Sequence, residues 1–295
     1  MKFSIITPTY NRAYLLPNLI SCVLNQTYTD WELIIVDDGS TDNTKEVVNS
    51  YHDPKIKYVY QSNAERSAAR NNGYEHSTGD FIVFVDSDDS LPNDFLSNLA
   101  KTIDDNNEKK AIYSTTRRYF DNNSNEYKYT RQLKSTDTPE SILKAGAVIC
   151  VDQCVHRDCL IKHKFKSGIE PWEDTHLFLR LINDFEIIET NAVIHQLIHD
   201  GSTVQIGLND VKIETVRNYA RIVMDLFNYP ELFPHSKFKN LINGYVFLKH
   251  QMFFYQARIN GQFDVARDIL KDSTKFKFDI IYLLKSYLHL MKGNK

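Results

Sequence analysis

The sequence predicts an α/β fold in which a mixed, mostly parallel sheet is flanked by helices and followed by a helical C-terminal extension. Two observations predict it. In the first hundred residues, short runs of β-branched and aromatic residues alternate with segments of helical periodicity, which is the pattern of a parallel sheet with helices on its faces. Past residue 205 the patterns are long and helical. We therefore expect two domains, residues 1–205 and residues 206–295.

Side-chain spacing places each element of the first domain. Four strands are predicted at KFSIITPTY, WELIIVDDGS, KIKYVYQ and FIVFVD. Helices are predicted between them, near YLLPNLISCVLNQ, NTKEVVNSY and RSAARNNGYEHS. Later segments predict strands near AIYSTTRRYF and AVICVD. A further helix is expected in EPWEDTHLFLRLIND, opening at Pro171 and carrying Glu173 and Asp174 in its first turn.

Composition and charge exclude several classes of protein. The chain has 295 residues, 42% of them hydrophobic and 25% charged, so it can bury a globular core. Its net charge is −3 with acids and bases mixed, which argues against a nucleic-acid partner. We find no signal-peptide core and no run of about 18 apolar residues, so we expect a cytoplasmic protein. The four cysteines fit packing residues in a reducing compartment better than a zinc site, because C-x-x-C pairs are absent.

Polar residues gather at the carboxyl ends of the predicted strands. Residues 7–12 follow the first strand, Asp37 and Asp38 follow the second, and residues 86–89 follow the fourth. In open α/β sheets, ligands bind outside this edge, where loops and helix N-termini converge. We therefore expect three loops from separate parts of the chain to face one crevice.

The acids after the fourth strand are spaced for a divalent cation. Asp86 and Asp88 in FIVFVDSDDSL can offer hard oxygen ligands to Mg²⁺ or Mn²⁺, which keep positions open for water and substrate phosphate. A calcium loop of the EF-hand type is excluded, because its sixth position would be Leu91 and its twelfth Ser97. The spacing therefore favours a cation that works together with a phosphate ligand.

Plainer explanations exist for each acidic segment. Asp89 and Ser90 can cap the helix expected near Pro92, and VDDGSTDNT can be a turn with an N-cap. Glu173 and Asp174 can simply complement the dipole of the helix that they begin. Capping does not explain the two acids that precede Asp89, so a ligand site is favoured there.

Five segments together resemble a known family. IITPTYNR, QTYTDWELIIVDDGSTD, RSAARNNG, GDFIVFVDSDDSL and EPWEDTHLFLRL occur in the order and at the spacing of the family 2 glycosyltransferases, which have the nucleotide-diphospho-sugar transferase fold called GT-A. The resemblance covers residues 1–205. It implies inverting transfer of a sugar from a nucleotide-diphosphate donor, expected to carry uracil, to a glycan or lipid-linked saccharide in cell-surface polysaccharide synthesis.

The resemblance also implies roles for individual residues. Asp174 is the expected general base, with Glu173 as the second candidate. Asp88 is the expected ligand of Mn²⁺ or Mg²⁺, and His199 in VIHQLIHDGSTV, rather than His195, is the expected last protein ligand of the cation. The residues expected to line the donor site are Thr7, Pro8, Thr9, Tyr10, Arg12, Asp37, Asp38, Arg66, Arg70, Asp86, Ser87 and Glu173.

The chemistry of these residue types agrees with the implied roles. In the family's pattern Thr7 and Asp38 contact the base, Asp86 lies near the ribose, and Arg70 lines the donor site. A nucleoside diphosphate leaves readily only when its growing charge is neutralised, which a metal ion and an arginine can do. The sequence has neither G-x-x-x-x-G-K-[ST] nor a G-x-G-x-x-G after the first strand, which argues against P-loop and dinucleotide sites. The place of Asp174 at a helix start favours its ionised form.

Two other functions fit parts of the pattern. A non-catalytic sugar-nucleotide-binding module would keep the donor pocket, but the presence of both Asp88 and Asp174 favours an enzyme. A nucleotidyltransferase would carry a glycine-rich phosphate loop after the first strand, and TPTYNR has no glycine.

The last ninety residues predict helices without a catalytic pattern. In STKFKFDIIYLLKSYLHLMKGNK, apolar residues at helical spacing form one stripe. They are Phe278, Ile281, Leu284, Tyr287 and Leu288. We expect this stripe to be domain core. The alternatives are a homo-oligomer contact or a peripheral contact with the inner face of the cell membrane, to which neighbouring lysines would contribute.

Overall fold

The computed structural model describes residues 1–121, 125–196, 210–232 and 238–276, and the chain divides into two compact units. The first unit comprises Met1–Asp137, Ile149–Gly168 and Glu173–Gly201, and the second comprises Thr138–Val148, Ile169–Trp172 and Ser202–Lys295. Each unit therefore takes segments from separate parts of the chain. Two stretches that we expected in the first domain, 138–148 and 169–172, belong to the second unit.

A mixed sheet forms the centre of the first unit. Its strands, among the described residues, are β1 (Phe3–Thr9), β2 (Trp31–Asp37), β3 (Ile56–Tyr60), β4 (Phe81–Phe84), β5 (Asp89–Ser90), β6 (Ile112–Asp121), β7 (Glu126–Tyr129), β8 (Cys154–His156) and β9 (Ile187–Gln196). Their order is β3-β2-β1-β4-β8-β6-β9-β5, with β7 paired to β6. Strands β1 to β4 run parallel, as do β6 and β9, whereas β5, β7 and β8 pair antiparallel. The predicted mixed, mostly parallel sheet is confirmed.

The helices of the first unit flank this sheet. In chain order, the α-helices of the described residues are α1 (Leu16–Leu24), α2 (Thr44–Asn49), α3 (Glu65–His76), α4 (Phe95–Asp105), α5 (Pro139–Lys144), α6 (Cys159–Lys162), α7 (Glu173–Asp184), α8 (Ile213–Met224), α9 (Phe238–Ile259) and α10 (Phe263–Ser273). Helices α5, α8, α9 and α10 belong to the second unit. The alternation of strand and helix over the first hundred residues is therefore as predicted.

Helices α1 and α4 share one hydrophobic core with the sheet. Leu16, Leu19 and Val23 of α1 are completely buried, and so is Leu99 of α4. Their spacing puts them on one helical face, and burying each side chain stabilises the fold by about 1.5–3 kcal/mol relative to leaving it exposed. Leu24, the last residue of α1, is 40% exposed.

Helix α3 packs closely on β1 because of a glycine. A Cβ at Gly73 would lie 2.3 Å from Cγ2 of Ile6, a distance that a side chain cannot adopt without displacing the strand. The glycine in RSAARNNG therefore allows the close approach of α3 to the sheet. This approach carries Arg70, one turn earlier, into the interior, where it is 1% exposed.

The strand predicted at AVICVD is wrong, because β8 begins only at Cys154. The preceding residues bond to β6 through individual groups instead of a strand ladder. The Thr115 hydroxyl donates to the Asp152 carbonyl at 2.8 Å, and the Gln153 Oε1 accepts the Thr115 N–H at 3.1 Å. The helix predicted in EPWEDTHLFLRLIND is confirmed as α7, with both acids in its first turn, but it begins at Glu173 and not at Pro171.

The second unit is helical and has its own aromatic core. Trp172 and Tyr245 are 1% and 2% exposed, with ring centroids 5.7 Å apart. The Tyr245 hydroxyl accepts the Trp172 indole N–H at 3.3 Å and donates to the Ala147 carbonyl at 3.1 Å. None of the helices in the described part of the chain is long and apolar enough to cross a membrane. The apolar stripe of residues 278–288 lies outside the described residues.

Candidate active site

The three predicted loops leave the sheet at one edge. Because β1 pairs in parallel with both β2 and β4, their carboxyl ends point the same way. Side chains join the loops to each other. The Asn11 N–H donates to the Ser40 hydroxyl at 2.9 Å, and the Thr41 N–H donates to the Asn11 side-chain oxygen at 2.7 Å. An Arg12 nitrogen lies 3.4 Å from a carboxylate oxygen of Asp88.

Asp37 holds the turn after β2. It is 2% exposed, and its two oxygens accept the Ser40 N–H at 2.8 Å and the Tyr58 hydroxyl at 2.6 Å. Burial and the bond to this carboxylate raise the pKa of Tyr58. With both oxygens bonded inside the protein, Asp37 supports the loop, and its expected contact with the donor stays a prediction.

Asp38 is fixed between the same turn and the start of α3. Its Oδ1 accepts the Gln61 side-chain amide at 2.7 Å and the Ala64 N–H at 2.8 Å, and its carbonyl accepts the Asn63 side-chain amide at 2.9 Å. The turn needs Gly39, whose φ is +83° and where a Cβ would lie 2.8 Å from the Asn63 nitrogen. The Asp38 carboxylate is therefore held in one position at the sheet edge.

The residues expected after the first strand differ in exposure, and Thr7, Pro8 and Thr9 are the last residues of β1 itself. Thr7 and Thr9 are 0% and 3% exposed, and their buried hydroxyls have no hydrogen-bond partner among the described residues. Tyr10 is 49% exposed and Pro8 is half-buried. The segment therefore places its threonines beneath the edge and Tyr10 on its surface.

Arg70 joins the predicted catalytic residues. Its guanidinium donates to Asp86 Oδ1 at 2.8 Å, to Asp174 Oδ1 at 2.9 Å and to Glu173 Oε1 at 3.2 Å. Arg66, on the same helix, is more exposed, and its Nε lies 3.6 Å from Glu173 Oε1. Segments separated by about a hundred residues thus meet on one buried cation, which we call the Arg70 cluster (Arg70, Asp86, Glu173 and Asp174).

Burial and the charges of the Arg70 cluster shift the pKa values of its two aspartates, Asp86 and Asp174, in opposite directions. Burial raises the pKa of Asp174 to about 8, and the negative charges of Glu173 and Asp86 act in the same direction against the opposing effect of Arg70. Burial also works to raise the pKa of Asp86, but the charges of Arg70 and Arg117 outweigh it and lower that pKa below its ordinary value. The expectation that the helix start favours ionised Asp174 is therefore wrong, since burial and two negative neighbours exceed the effect of the helix dipole.

Asp88 is the available carboxylate for a divalent cation. Its side chain is 18% exposed beside Arg12, whose Nη1 also lies 3.5 Å from the Ser87 hydroxyl. Asp86 is bonded to Arg70, and no three His, Cys, Asp or Glu side chains converge as a metal site in the described part of the chain. One carboxylate fits a Mg²⁺ or Mn²⁺ ion that takes its other ligands from phosphates and water. His199, the expected last ligand, lies outside the described residues.

A buried ion cluster next to Asp88 was missed by the sequence analysis. Asp89 is completely buried, and its two oxygens lie 3.0 and 2.8 Å from the guanidinium of Arg117 on β6. The Arg117 Nε donates to Asp152 at 3.2 Å. The alternative that Asp89 and Ser90 cap the next helix is wrong, because α4 has Asp94 at its N-cap. The available signal was a pair of arginines inside a segment of strand-like composition, TTRRYF.

Replacing Arg117 by Met is expected to destabilise the protein strongly. The change leaves the buried carboxylates of Asp89 and Asp152 without their cation, which typically costs about 3–5 kcal/mol. For a chain of this size the melting temperature should fall by about 6 °C or more, measured by differential scanning calorimetry.

The matched control is Arg131→Met, which breaks an ion pair with Asp137 in which the arginine side chain is 45% exposed. Such a pair contributes about 1 kcal/mol or less. Equal melting of the Arg117 and Arg131 variants would show that the buried cluster does not brace the segment that contains Asp88.

Comparisons with known proteins identify the family of the chain. A model of "Glycosyl transferase family 2" matches residues 4–162. The chain is 32% identical over 191 residues to the UDP-Glc:alpha-D-GlcNAc-diphosphoundecaprenol beta-1,3-glucosyltransferase WfgD of Escherichia coli, covering 64% of this chain and 73% of that protein. It is 38% identical over 104 residues to glycosyltransferase GlyA of Streptococcus pneumoniae, covering 35% of this chain and only 15% of that protein.

Solved structures with the same architecture include two glycosyltransferases. Staphylococcus aureus TarS 1-349 in complex with UDP-GlcNAc superposes with a TM-score of 0.59 at 18% identity, over 99% of this chain and 89% of that chain. Mannosyltransferase PcManGT from Pyrobaculum calidifontis, in complex with GDP-Man and Mn²⁺, superposes with a TM-score of 0.54 at 16% identity, over 99% and 86%. At these identities the likeness shows the fold, which is GT-A as the motifs implied.

Proposed function

The chain belongs to glycosyl transferase family 2, and from that premise we propose that it moves a sugar, with inversion at the anomeric carbon, from a UDP-sugar to a lipid-linked saccharide. It is an enzyme, a glycosyltransferase. The observation that carries the proposal is the Arg70 cluster, which holds the predicted base at the carboxyl end of β4. A partly accessible carboxylate with a raised pKa is typical of a general base, and this favours an enzyme over a nucleotide-binding module without turnover.

Asp174 has the surroundings that a general base requires. Its side chain is 25% exposed, so a hydroxyl can reach it, while Arg70 fixes Oδ1. As the acceptor oxygen attacks the anomeric carbon, its proton passes to the Asp174 carboxylate. The bond from that carbon to the donor phosphate breaks on the opposite side, and its electron pair leaves with the nucleoside diphosphate. A pKa near the working pH suits a group that takes up a proton in one step and releases it in the next.

The phosphates of the donor are expected at Asp88 and Arg12. Asp88 would hold Mn²⁺ or Mg²⁺, and the cation would neutralise the charge that develops on the leaving diphosphate. Arg12 is 32% exposed next to Asp88 and can turn its guanidinium to a phosphate oxygen.

Recognition of the base is assigned to Asp38. Its fixed carboxylate can accept the imide N–H of uracil, a donor that cytosine lacks. The name of WfgD contains both UDP-Glc and a diphosphoundecaprenol acceptor, which supports a uridine donor and a lipid-linked acceptor for this chain. Work on such an acceptor would place the protein at the cytoplasmic face of the membrane.

A panel of nucleotide sugars, with Mn²⁺ and with EDTA, tests the donor and the cation together. We expect one UDP-sugar to raise the melting temperature and to be slowly hydrolysed, in both cases only with Mn²⁺. Asp88→Asn should abolish the effect of Mn²⁺ while the melting temperature without nucleotide stays unchanged. Asp105→Asn, an exposed acid at the end of α4, is the control that should keep the effect.

The panel can contradict each part of the proposal separately. Equal nucleotide binding by calorimetry with EDTA and with Mn²⁺ would exclude the role of the cation. Tighter binding of GDP or CDP than of UDP would exclude the uridine assignment. If the wild type neither hydrolysed a nucleotide sugar nor transferred a sugar to a lipid-linked saccharide under any condition, the activity itself would be contradicted.

A further inference from the structure

Exposed aromatic side chains and one arginine share a face of the β6–β7 hairpin. Arg118 lies opposite Tyr129, and Phe120 lies opposite Tyr127, so the four side chains point to the same side. Tyr127 and Tyr129 are 56% and 58% exposed. The Arg118 guanidinium lies 4.6 Å from the Tyr127 ring centroid, and the Phe120 and Tyr127 centroids are 5.2 Å apart. We call these four residues the hairpin platform.

The strand register connects the hairpin platform to the segment that contains Asp88. His195 on β9 lies opposite Arg118 on β6 and opposite Ser90 on β5, and its Nδ1 lies 3.3 Å from an Arg118 nitrogen. Neighbouring strands are about 4.8 Å apart, so Tyr129 lies about 14 Å across the sheet from Ser90. The preceding residue, Arg117, bonds directly to Asp89. A chain of a few sugar rings can span this distance.

We propose that the hairpin platform binds the saccharide of the acceptor; the inference rests on the proposed function. A sugar ring presents one face of C–H groups, which packs on the electron-rich face of an aromatic ring, and Tyr127 and Tyr129 offer such faces to solvent. Sugar hydroxyls accept hydrogen bonds from guanidinium groups. Arg118 pairs with no carboxylate of the described residues, and its buried Nε has no acceptor among them.

Charge and composition favour a saccharide over a lipid surface. A membrane-binding surface gathers several lysines and arginines of one sign beside apolar side chains that enter the lipid. The exposed strand β7, EYKY, instead alternates tyrosines with one acid, Glu126, and one base, Lys128. The exposed rings are both tyrosines, whose hydroxyls favour a polar partner. Lysine on an edge strand also opposes pairing with the β7 of a second copy.

Binding of the full chain to an array of bacterial surface glycans tests the hairpin platform. We expect the wild type to bind a subset of the glycans. The double variant Tyr127→Ala, Tyr129→Ala should bind the same glycans at least about tenfold more weakly. Arg118→Met should weaken the same glycans. Tyr255→Ala, a 40% exposed tyrosine on α9 of the other unit, is the matched control and should bind as the wild type does. The three tyrosines are exposed, so their replacement should change stability little, and the melting temperature of every variant is measured to check this.

Three results would overturn the inference. The first is that the wild type binds no glycan, and the second is that the double tyrosine variant binds glycans as well as the wild type does. The third is that the double variant keeps glycan binding but loses either binding to phosphatidylglycerol vesicles or self-association. The outcome is independent of the donor panel. The donor panel tests the proposed function. The glycan array tests whether the hairpin platform binds a saccharide, whatever the result of the donor panel.

Discussion

Replacing Asp174 by Asn is expected to lower the rate of sugar transfer by about 10²-fold or more while donor binding survives. Asparagine keeps the size of the side chain and can still accept the 2.9 Å hydrogen bond from Arg70 through its oxygen. It carries no charge and cannot take the proton of the acceptor hydroxyl. The measurement is kcat for transfer, together with calorimetry of UDP binding in the presence of Mn²⁺.

Glu173→Gln is the matched control for this prediction. Glu173 bonds to the same guanidinium, at 3.2 Å, but it is only 2% exposed and so less accessible to an acceptor. We expect its replacement to reduce transfer much less. Near wild-type transfer by Asp174→Asn, combined with an inactive Glu173→Gln, would exchange the roles of the two acids.

The pKa of Asp174 adds a pH dependence to the same prediction. The base acts in its deprotonated form, so transfer should rise with pH, with its midpoint near pH 8, and level off about one pH unit higher. Glu173→Gln removes a neighbouring negative charge, which lowers the pKa of Asp174 and shifts this rise to lower pH. A rise that stays in place in the Gln variant would show that another group controls it.

Stability should change with pH in the opposite direction. Because the folded-state pKa of Asp174 lies above its unfolded value, the native protein binds this proton more tightly from about pH 4 to pH 8. The protein therefore loses stability as rising pH removes the proton. Asp174→Asn, which never ionises, should melt at a higher temperature than the wild type at pH 8, as often happens when a destabilised catalytic group is replaced.

The sequence could predict the site edge because the edge depends on local patterns. Strand periodicity followed by acids locates the carboxyl ends at Asp37 and Phe84 without any tertiary information. Periodicity alone could not distinguish Asp37 from Asp38, and only the family resemblance singled out Asp38. Their contacts differ because Asp37 contacts Tyr58 on β3, whereas Asp38 contacts Gln61 and Ala64 beyond that strand. Such contacts depend on how the strands are packed.

The partners of Arg70 could not be predicted from the sequence, for a related reason. The motifs identified Arg70 and both acids of α7. Nothing in the local sequence indicates that Arg70 donates to Glu173 and Asp174, which follow it by 103 and 104 positions. The pairing arises because α3 approaches β1 closely at Gly73. The buried ion cluster of Arg117 shows the same limit, since its acids are Asp89 on β5 and Asp152 in the segment before β8.

Replacing Arg70 is expected to affect folding and transfer together. Arg70→Met leaves three carboxylates around a buried position without their cation, which typically lowers the free energy of unfolding by about 3–5 kcal/mol. The melting temperature should therefore fall by about 6 °C or more, and transfer should be lost. Adding Glu173→Gln removes one of the repelling charges and should restore part of the melting temperature. Arg66→Met is the control, because that arginine is 46% exposed and lies 3.6 Å from Glu173, and it should change stability by about 1 kcal/mol or less.

Arg70→Lys separates the charge of this residue from its geometry. Lysine keeps the positive charge, but its single ammonium group cannot reproduce the planar fork that donates to Asp86 on one side and Asp174 on the other. We therefore expect melting closer to the wild type than in Arg70→Met, yet at least about tenfold slower transfer with donor affinity nearly unchanged, because the base is no longer held in position. Wild-type transfer by Arg70→Lys would mean that the cluster needs only a cation at this position, and Asp174 would then owe its orientation to α7 alone.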